Sequence, residues 1–217
     1  MTNRLALFDC DGTLVDSQHN ICLCMEDAFA RSGMTPPDRA KTRRVVGLSL
    51  VEAMQALLPG AAPDQHRALA EDYKTAFHRL RGHGLVEEPL FDGIITAIDS
   101  LEADGWMLGI ATGKSDRGLA LCLDHHGLRG RFITLQTADR HPSKPHPSMI
   151  FQAMADAGAS PESTVMIGDT SFDMAMGVAA GARALGVDWG YHDADELRAA
   201  GAYHVAAEPA HLHKAMQ

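Results

Sequence analysis

The stretch Phe8-Asp9-Cys10-Asp11-Gly12-Thr13-Leu14 decides the fold. It follows the apolar run Leu5-Ala6-Leu7-Phe8, which is too short and too uniformly apolar for a helix with a polar face. Such a run reads as a buried strand. Asp9 and Asp11 therefore stand at the carboxyl end of a strand, where open α/β sheets gather their ligands. Gly12 permits a tight turn whose backbone N–H groups can converge on one pocket. An isolated Asp-Gly pair is ordinarily a turn and nothing more. Here Thr112, Lys144, Asp169 and Asp173 follow further along, beyond apolar runs of their own.

Around this stretch the chain shows two textures. Residues 17–81 read as helices with no convincing strand. A helix over 19–31 closes at Gly33, and Pro36-Pro37 breaks the chain and can start another. Ser49-Leu50-Val51-Glu52 has the spacing of a capping box, and a fourth helix is expected from Pro63 to about Leu80. Past the link Gly82-His83-Gly84, helices alternate with strands expected at 107–111, 132–135, 164–167, 182–187 and 203–205. That alternation predicts an α/β fold of right-handed βαβ units on a largely parallel sheet, with the helical block inserted after the first strand.

Composition narrows the possibilities. At 217 residues the chain is long enough for one proper core or two small ones, and 46% hydrophobic with 22% charged residues is ordinary for a globular protein. A net charge of −9 argues against a general nucleic-acid or anionic-membrane surface, though not against an anionic substrate met by a local cation. No apolar stretch reaches transmembrane length, and Met1-Thr2-Asn3-Arg4 runs directly into the first strand, so a cytoplasmic protein is expected. Cys10, Cys22, Cys24 and Cys122 show no paired spacing and read as reduced, buried thiols. The histidines include no H-E-x-x-H, and the adjacent His125-His126 point to different helix faces, which argues against zinc.

Parallel strands deliver the residues at their carboxyl ends to one rim. Asp9, Asp11 and Asp169 reach it directly, as does Thr112. Lys144 arrives from the loop Pro142-Ser143-Lys144-Pro145-His146-Pro147, which proline holds extended. Carboxylates crowded together repel unless a cation neutralises them, and hard oxygen ligands favour Mg²⁺. Thr112 and Lys144 then offer a donor and a positive charge to phosphate oxygens. Asp9 has the chemistry of a carboxylate nucleophile, and Asp11 that of a general acid and base.

Taken in order, Asp9-x-Asp11-Gly12-Thr13, Thr112, Lys144-Pro145 and Gly168-Asp169-x-x-x-Asp173 resemble the four motifs of the haloacid dehalogenase superfamily. With its helical insertion the whole chain is similar to the phosphoglycolate phosphatase-like and β-phosphoglucomutase-like branch. The resemblance implies a Rossmann-like core of residues 1–16 and 82–217 with an α-helical cap of residues 17–81. It implies a phosphatase acting on a small phosphorylated metabolite through an aspartyl-phosphate, with Asp9 as nucleophile and Asp11 as acid and base. Mg²⁺ would be held by Asp9, the Asp11 backbone carbonyl and Asp169, with Asp173 as a ligand or a supporting partner. Thr112 and Lys144 would hold the transferring phosphoryl group, with Thr13 and Gly113 beside it. Arg44 and Gly47, in the segment 43–49 between two helices, would read the leaving group.

Departures from the branch refine this. Asp11 favours phosphoryl transfer over carbon–halogen cleavage, because dehalogenating members lack it. Gly113 stands where phosphoglycolate phosphatases often carry Asn, which points away from glycolate. Gly168 stands where mutases usually carry Glu, which favours water as acceptor over a sugar phosphate. A sugar-phosphate mutase remains the rival enzyme. A receiver-like phosphoacceptor module is the rival outside catalysis, and its usual length and lack of a helical insertion fit this chain poorly.

Overall fold

The computed structural model describes residues 3–217; Met1 and Thr2, where the expected approach to the first strand begins, lie outside the described residues. The six strands are β1 (Asn3–Phe8), β2 (Trp106–Thr112), β3 (Phe132–Thr137), β4 (Ala159–Gly168), β5 (Arg183–Val187) and β6 (His204–Ala206). They form one sheet in the order β3-β2-β1-β4-β5-β6, with every neighbouring pair parallel. This is the Rossmann-like α/β architecture expected from the alternation of elements. The strand order reverses at β1, so Asp9 emerges where such sheets place their ligands.

Side chains alternate along β1 as the pleat requires. Ala6 and Phe8 join a core with Ile98, Leu101 and Ile110 on one face. Leu5 and Leu7 join Met149, Ile150 and Met166 on the other. Both faces are thus covered, which explains why β1 reads as continuously apolar rather than alternating.

Helices α5 (Ile94–Ala103), α6 (Asp116–His125), α7 (Ser148–Ala157), α8 (Ser171–Ala179), α9 (Ala194–Ala199) and α10 (Leu212–Ala215) cover the sheet or follow its strands. Between β1 and α5 lie α1 (Gln18–Arg31), α2 (Arg39–Arg44), α3 (Leu50–Leu57) and α4 (Pro63–Gly82), with no named strand among them. Of these, α1, α3 and α4 share an apolar cluster of their own that includes Met25, Phe29, Met54, Leu69 and Tyr73. None of the described helices is long and apolar enough to cross a membrane. All four cysteines are free and buried.

Local details differ from the sequence reading: α4 runs on through Gly82, the first residue of the expected link, and three further differences have a local cause. The second helix begins only at Arg39, behind Asp38 rather than at the two prolines. Ser49 does precede α3, but its hydroxyl bonds the Glu52 carboxylate instead of a backbone N–H, so the expected capping box is incomplete. β4 starts five residues before the expected 164, because Ala159 pairs with Asn3 before a register shift brings Thr164 opposite Leu5.

Candidate active site

Asp9 stands just beyond β1, and its backbone N–H still donates to Ile167 O at 2.9 Å, so the sheet itself fixes its position. Its side chain is buried, and neither carboxylate oxygen has a hydrogen-bond partner. Lys144 Nζ lies 2.9 Å from Asp9 Oδ1, a charge contact without hydrogen-bond alignment. Burial above all pushes the Asp9 carboxyl up to about 7, against the pull of the Lys144 ammonium and with help from Asp173.

Asp169 and Asp173 complete the group. One oxygen from each of Asp9, Asp169 and Asp173 lies within 4.8 Å of the others, and all three residues are buried. Asp169 follows β4 and is held at both oxygens, by the Thr13 hydroxyl at 2.8 Å and the Tyr191 N–H at 3.0 Å. Burial, then the Asp9 charge, drives the Asp169 carboxyl well above the usual range. Asp173 is in the first turn of α8. Its Oδ2 accepts from the Thr170 N–H at 3.1 Å and hydroxyl at 2.7 Å, completing a capping box, and its Oδ1 takes Lys144 Nζ at 2.7 Å. Burial opposes the Lys144 charge, but Asp173 and Asp9 outweigh it and raise its pKa.

Three buried carboxylates thus face one buried ammonium. The excess negative charge and the free oxygens of Asp9 fit a divalent cation with a preference for hard oxygen donors, such as Mg²⁺. Gly12 lets the chain turn here with φ +84, and a Cβ on it would stand 2.2 Å from Asp169 Oδ2. The close approach of that loop to Asp169 therefore depends on its lacking a side chain.

A cavity of about 150 Å³ opens beside Asp9 and Asp11, between the sheet rim and the helical block. Thr112, Gly113 and Lys114 line it from the end of β2, Met25, Tyr73 and Phe77 from helices α1 and α4, and Val46 and Gly47 from the turn between α2 and α3. Asp11 Oδ1 accepts from Ser17 Oγ and pairs with Lys114 Nζ at 2.8 Å. The backbone at Gly47 adopts φ +95, and Ser49 N donates to Ser143 Oγ at 2.8 Å, tying the segment to the loop that carries Lys144.

A family model for haloacid dehalogenase-like hydrolases matches residues 6–187, a span that contains Asp9, Asp11, Thr112, Lys144, Asp169 and Asp173. The chain belongs to that family. As a haloacid dehalogenase-like hydrolase it is an enzyme, and its relatives bear related names. It is 35% identical over 201 residues to "Probable phosphatase IndB" of Dickeya dadantii, covering 90% of this chain and 86% of that one. It is 29% identical over 212 residues to a 5'-nucleotidase of Pseudomonas aeruginosa, covering 97% and 94%. Among solved structures, a hydrolase from Pseudomonas syringae aligns with a TM-score of 0.83 at 25% identity over 96% of this chain and 94% of that one. A predicted phosphatase from Clostridium acetobutylicum shares the fold with a TM-score of 0.89, at 24% identity over 100% and 99%.

Within this hydrolase, Asp9, Asp11, Thr112, Lys144, Asp169 and Asp173 gather at one rim, as do Gly47 and Gly113. Two residues expected to contact substrate have their polar groups engaged within the protein. Thr13 is fully buried and spends its hydroxyl on Asp169, so it holds that carboxylate instead of meeting a ligand. Arg44 turns away from the cavity to pair bidentately with Glu196 at the start of α9, at 2.7 Å for Nη2–Oε1. Asp11 offers its side chain to Lys114 and Ser17, and the compact carboxylate group excludes it. Sequence reasoning missed Lys114, Glu88 and Ser17. A lysine two places beyond Thr112 was a usable signal for the first; nothing in the local pattern marks Glu88.

Proposed function

We propose that this hydrolase cleaves a small phosphoric monoester, with Asp9 as nucleophile and an aspartyl-phosphate as intermediate. The observation that carries the reading is the state of Asp9. It is a buried carboxylate at a strand end, with neither oxygen hydrogen-bonded, beside a buried ammonium and two further carboxylates. A group so exposed to repulsion and so free to react is costly to maintain unless chemistry requires it. Relatives named as phosphatase, 5'-nucleotidase and phosphoglycolate phosphatase support a phosphorylated metabolite as substrate.

Mg²⁺ would be held by Asp9 and Asp169, with Asp173 and the Asp11 backbone carbonyl as further candidates. When bound it would offset the negative charge of the carboxylates and the phosphoryl oxygens. Asp9 attacks phosphorus and the bond to the ester oxygen breaks, while Asp11 gives that oxygen a proton, so the first product leaves as an alcohol. Asp11 then takes a proton from water, whose oxygen attacks the same phosphorus. The bond to Asp9 breaks, inorganic phosphate departs and both carboxyl groups return to their starting states. Thr112 and Lys144 hold the phosphoryl oxygens through both steps.

Residues 17–81 act in this reading as a cap that encloses and selects the leaving group, supported by the share of the cavity wall these helices supply. Water as the final acceptor is supported at Gly168, where a Cβ would meet the Asp173 side chain at 2.3 Å. The Glu that a mutase carries at that position has no room here.

The test is phosphate release from a panel of phosphorylated metabolites with Mg²⁺, with acid-quenched enzyme analysed for phosphate on Asp9. Asp9→Asn should lose a factor of about 10³ or more in turnover while remaining folded. A variant that keeps a tenth of the wild-type rate would overturn the assignment.

A further inference from the structure

Glu88 is a buried carboxylate that the chemistry above does not use. It lies in the connection between α4 and α5 and is 7% exposed, although its neighbours Glu87 and Pro89 are exposed. Its Oε1 accepts from Lys114 Nζ at 2.6 Å and its Oε2 from Arg81 Nη2 at 3.2 Å. His126 Nε2 pairs with its backbone carbonyl at 2.7 Å and pins the segment in place. Lys114 in turn reaches Asp11 Oδ1 at 2.8 Å. Two cations and two carboxylates thus alternate from the end of α4, through the connection and the loop after β2, to the loop after β1. With Asp11 ionised the charges balance, which eases the burial of Glu88, Lys114 and Asp11.

The arrangement constrains one atom. An ammonium on a four-carbon stem is mobile unless it is held from more than one side. Glu88 and Asp11 hold Lys114 Nζ between them. Lys114 and Ser17 both engage Oδ1 of Asp11, so Oδ2 is the oxygen without a protein partner among the described residues. A carboxyl locked through one oxygen presents the other in a fixed direction.

The geometry points to Glu88 and Lys114 as a positioning pair for Asp11: Glu88 fixes the ammonium, and the ammonium fixes Oδ1 so that Oδ2 meets the departing oxygen. This rests on Asp11 being the acid of the proposed reaction. Misplacing an acid penalises leaving groups that need a proton and spares those that do not. A purely structural pair would affect both alike.

The experiment measures kcat/KM, which reports the first phosphoryl transfer, for a simple alkyl phosphate and for p-nitrophenyl phosphate. Wild type, Asp11→Asn, Glu88→Gln and Glu88→Asp are compared with Mg²⁺, with circular dichroism and Tm as checks on folding. Asp11→Asn should lose about a hundredfold or more on the alkyl ester and far less on p-nitrophenyl phosphate. Glu88→Gln should show the same selectivity at about tenfold, and Glu88→Asp, which keeps the charge, should recover most of it. Should Glu88→Gln fail to fold, Lys114→Gln takes its place with the same expected selectivity. Equal losses on both esters, or none, in the Glu88 or Lys114 variants would overturn the inference while leaving the Asp11 role intact. Equal losses in Asp11→Asn would instead overturn the acid role, and the positioning pair with it.

Discussion

Gly47 and Gly113 meet backbone to backbone: the carbonyl oxygen of Gly47 lies 2.8 Å from where a Cβ on Gly113 would stand. The Leu48 carbonyl is equally near, at 2.8 Å. The helical block therefore reaches the sheet rim at a place where the rim carries no side chain. Carbonyl groups of a loop cannot yield as the end of a flexible side chain can. Gly113→Ala should push the 47–48 segment away and lower kcat/KM for the best substrate by about tenfold or more, with little change in Tm. Gly47→Val should do the same through strain, because φ +95 suits glycine alone. Unchanged kinetics in both variants would separate the loop from catalysis.

The Asp9 carboxyl gives the metal-free protein a pH signature. Burial raises it from 3.8 to about 7. A carboxyl raised on folding adds stability that is complete below the unfolded value and is lost as pH climbs through the folded one. The loss is on the order of a few kcal/mol at full ionisation. With metal chelated, Tm should fall between pH 5 and pH 8. Asp9→Asn should lessen that decline, leaving the part that the buried Asp169 carboxyl contributes, and melt higher than wild type at pH 8, although it is inactive. A wild-type Tm indifferent to pH over this range would contradict the burial argument.

Metal should act on the same charge. EDTA should abolish turnover and Mg²⁺ restore it, with a Tm increase that is larger at pH 8 than at pH 5 because protons compete for the carboxylates. Ca²⁺ should also raise Tm yet fail to support turnover, since its larger and looser shell suits in-line transfer poorly. Full activity after exhaustive chelation would remove the metal from the scheme.

The charge balance around Asp11 sets an expectation for the leaving group. Lys114, the lining cation in contact with Asp11, is already shared between that residue and Glu88, and Arg81 is engaged by Glu88. Much of the remaining wall is apolar, including Met25, Val46 and Phe77. Among the described residues the carboxylate of glycolate would find no uncommitted cation in contact with Asp11; Arg117 lines the cavity without an ion pair but is exposed to solvent, and an unpaired buried charge is unfavourable. Phosphoglycolate should therefore show a kcat/KM at least about tenfold below that of an ester of an uncharged alcohol of similar size. The reverse order in a side-by-side assay would show that the network rearranges to take an anion.

The parts of the site legible in the sequence are those fixed by strand ends. Asp9, Thr112 and Asp169 each sit where an apolar run stops, and a parallel sheet delivers such positions to one rim whatever the details of packing. Helix alternation gave the parallel sheet for the same reason. Contacts made by long side chains across the fold were not legible. Arg44 was expected to face a ligand, but its partner Glu196 lies 152 positions away and no local pattern announces it. Glu88 sits in an aperiodic connection, where burial cannot be inferred from spacing. Thr13 belongs to the right loop, yet whether its hydroxyl meets a ligand or Asp169 depends on how closely that loop packs.

The position of β1 bears on how the chain is made. β1 is flanked by β2 and β4, and about a hundred residues separate its end from the start of β2. At about 5–20 residues per second, a ribosome needs on the order of ten seconds to supply that partner. Throughout that interval Leu5, Leu7 and Phe8 emerge as a nascent strand with nothing to pair with. Helices α1, α3 and α4, whose apolar cluster draws on one another, have those apolar partners at hand much sooner. Synthesis from the amino terminus therefore completes the helical insertion while the strand that carries Asp9 is still waiting, exposed, for chaperones or for the rest of its sheet.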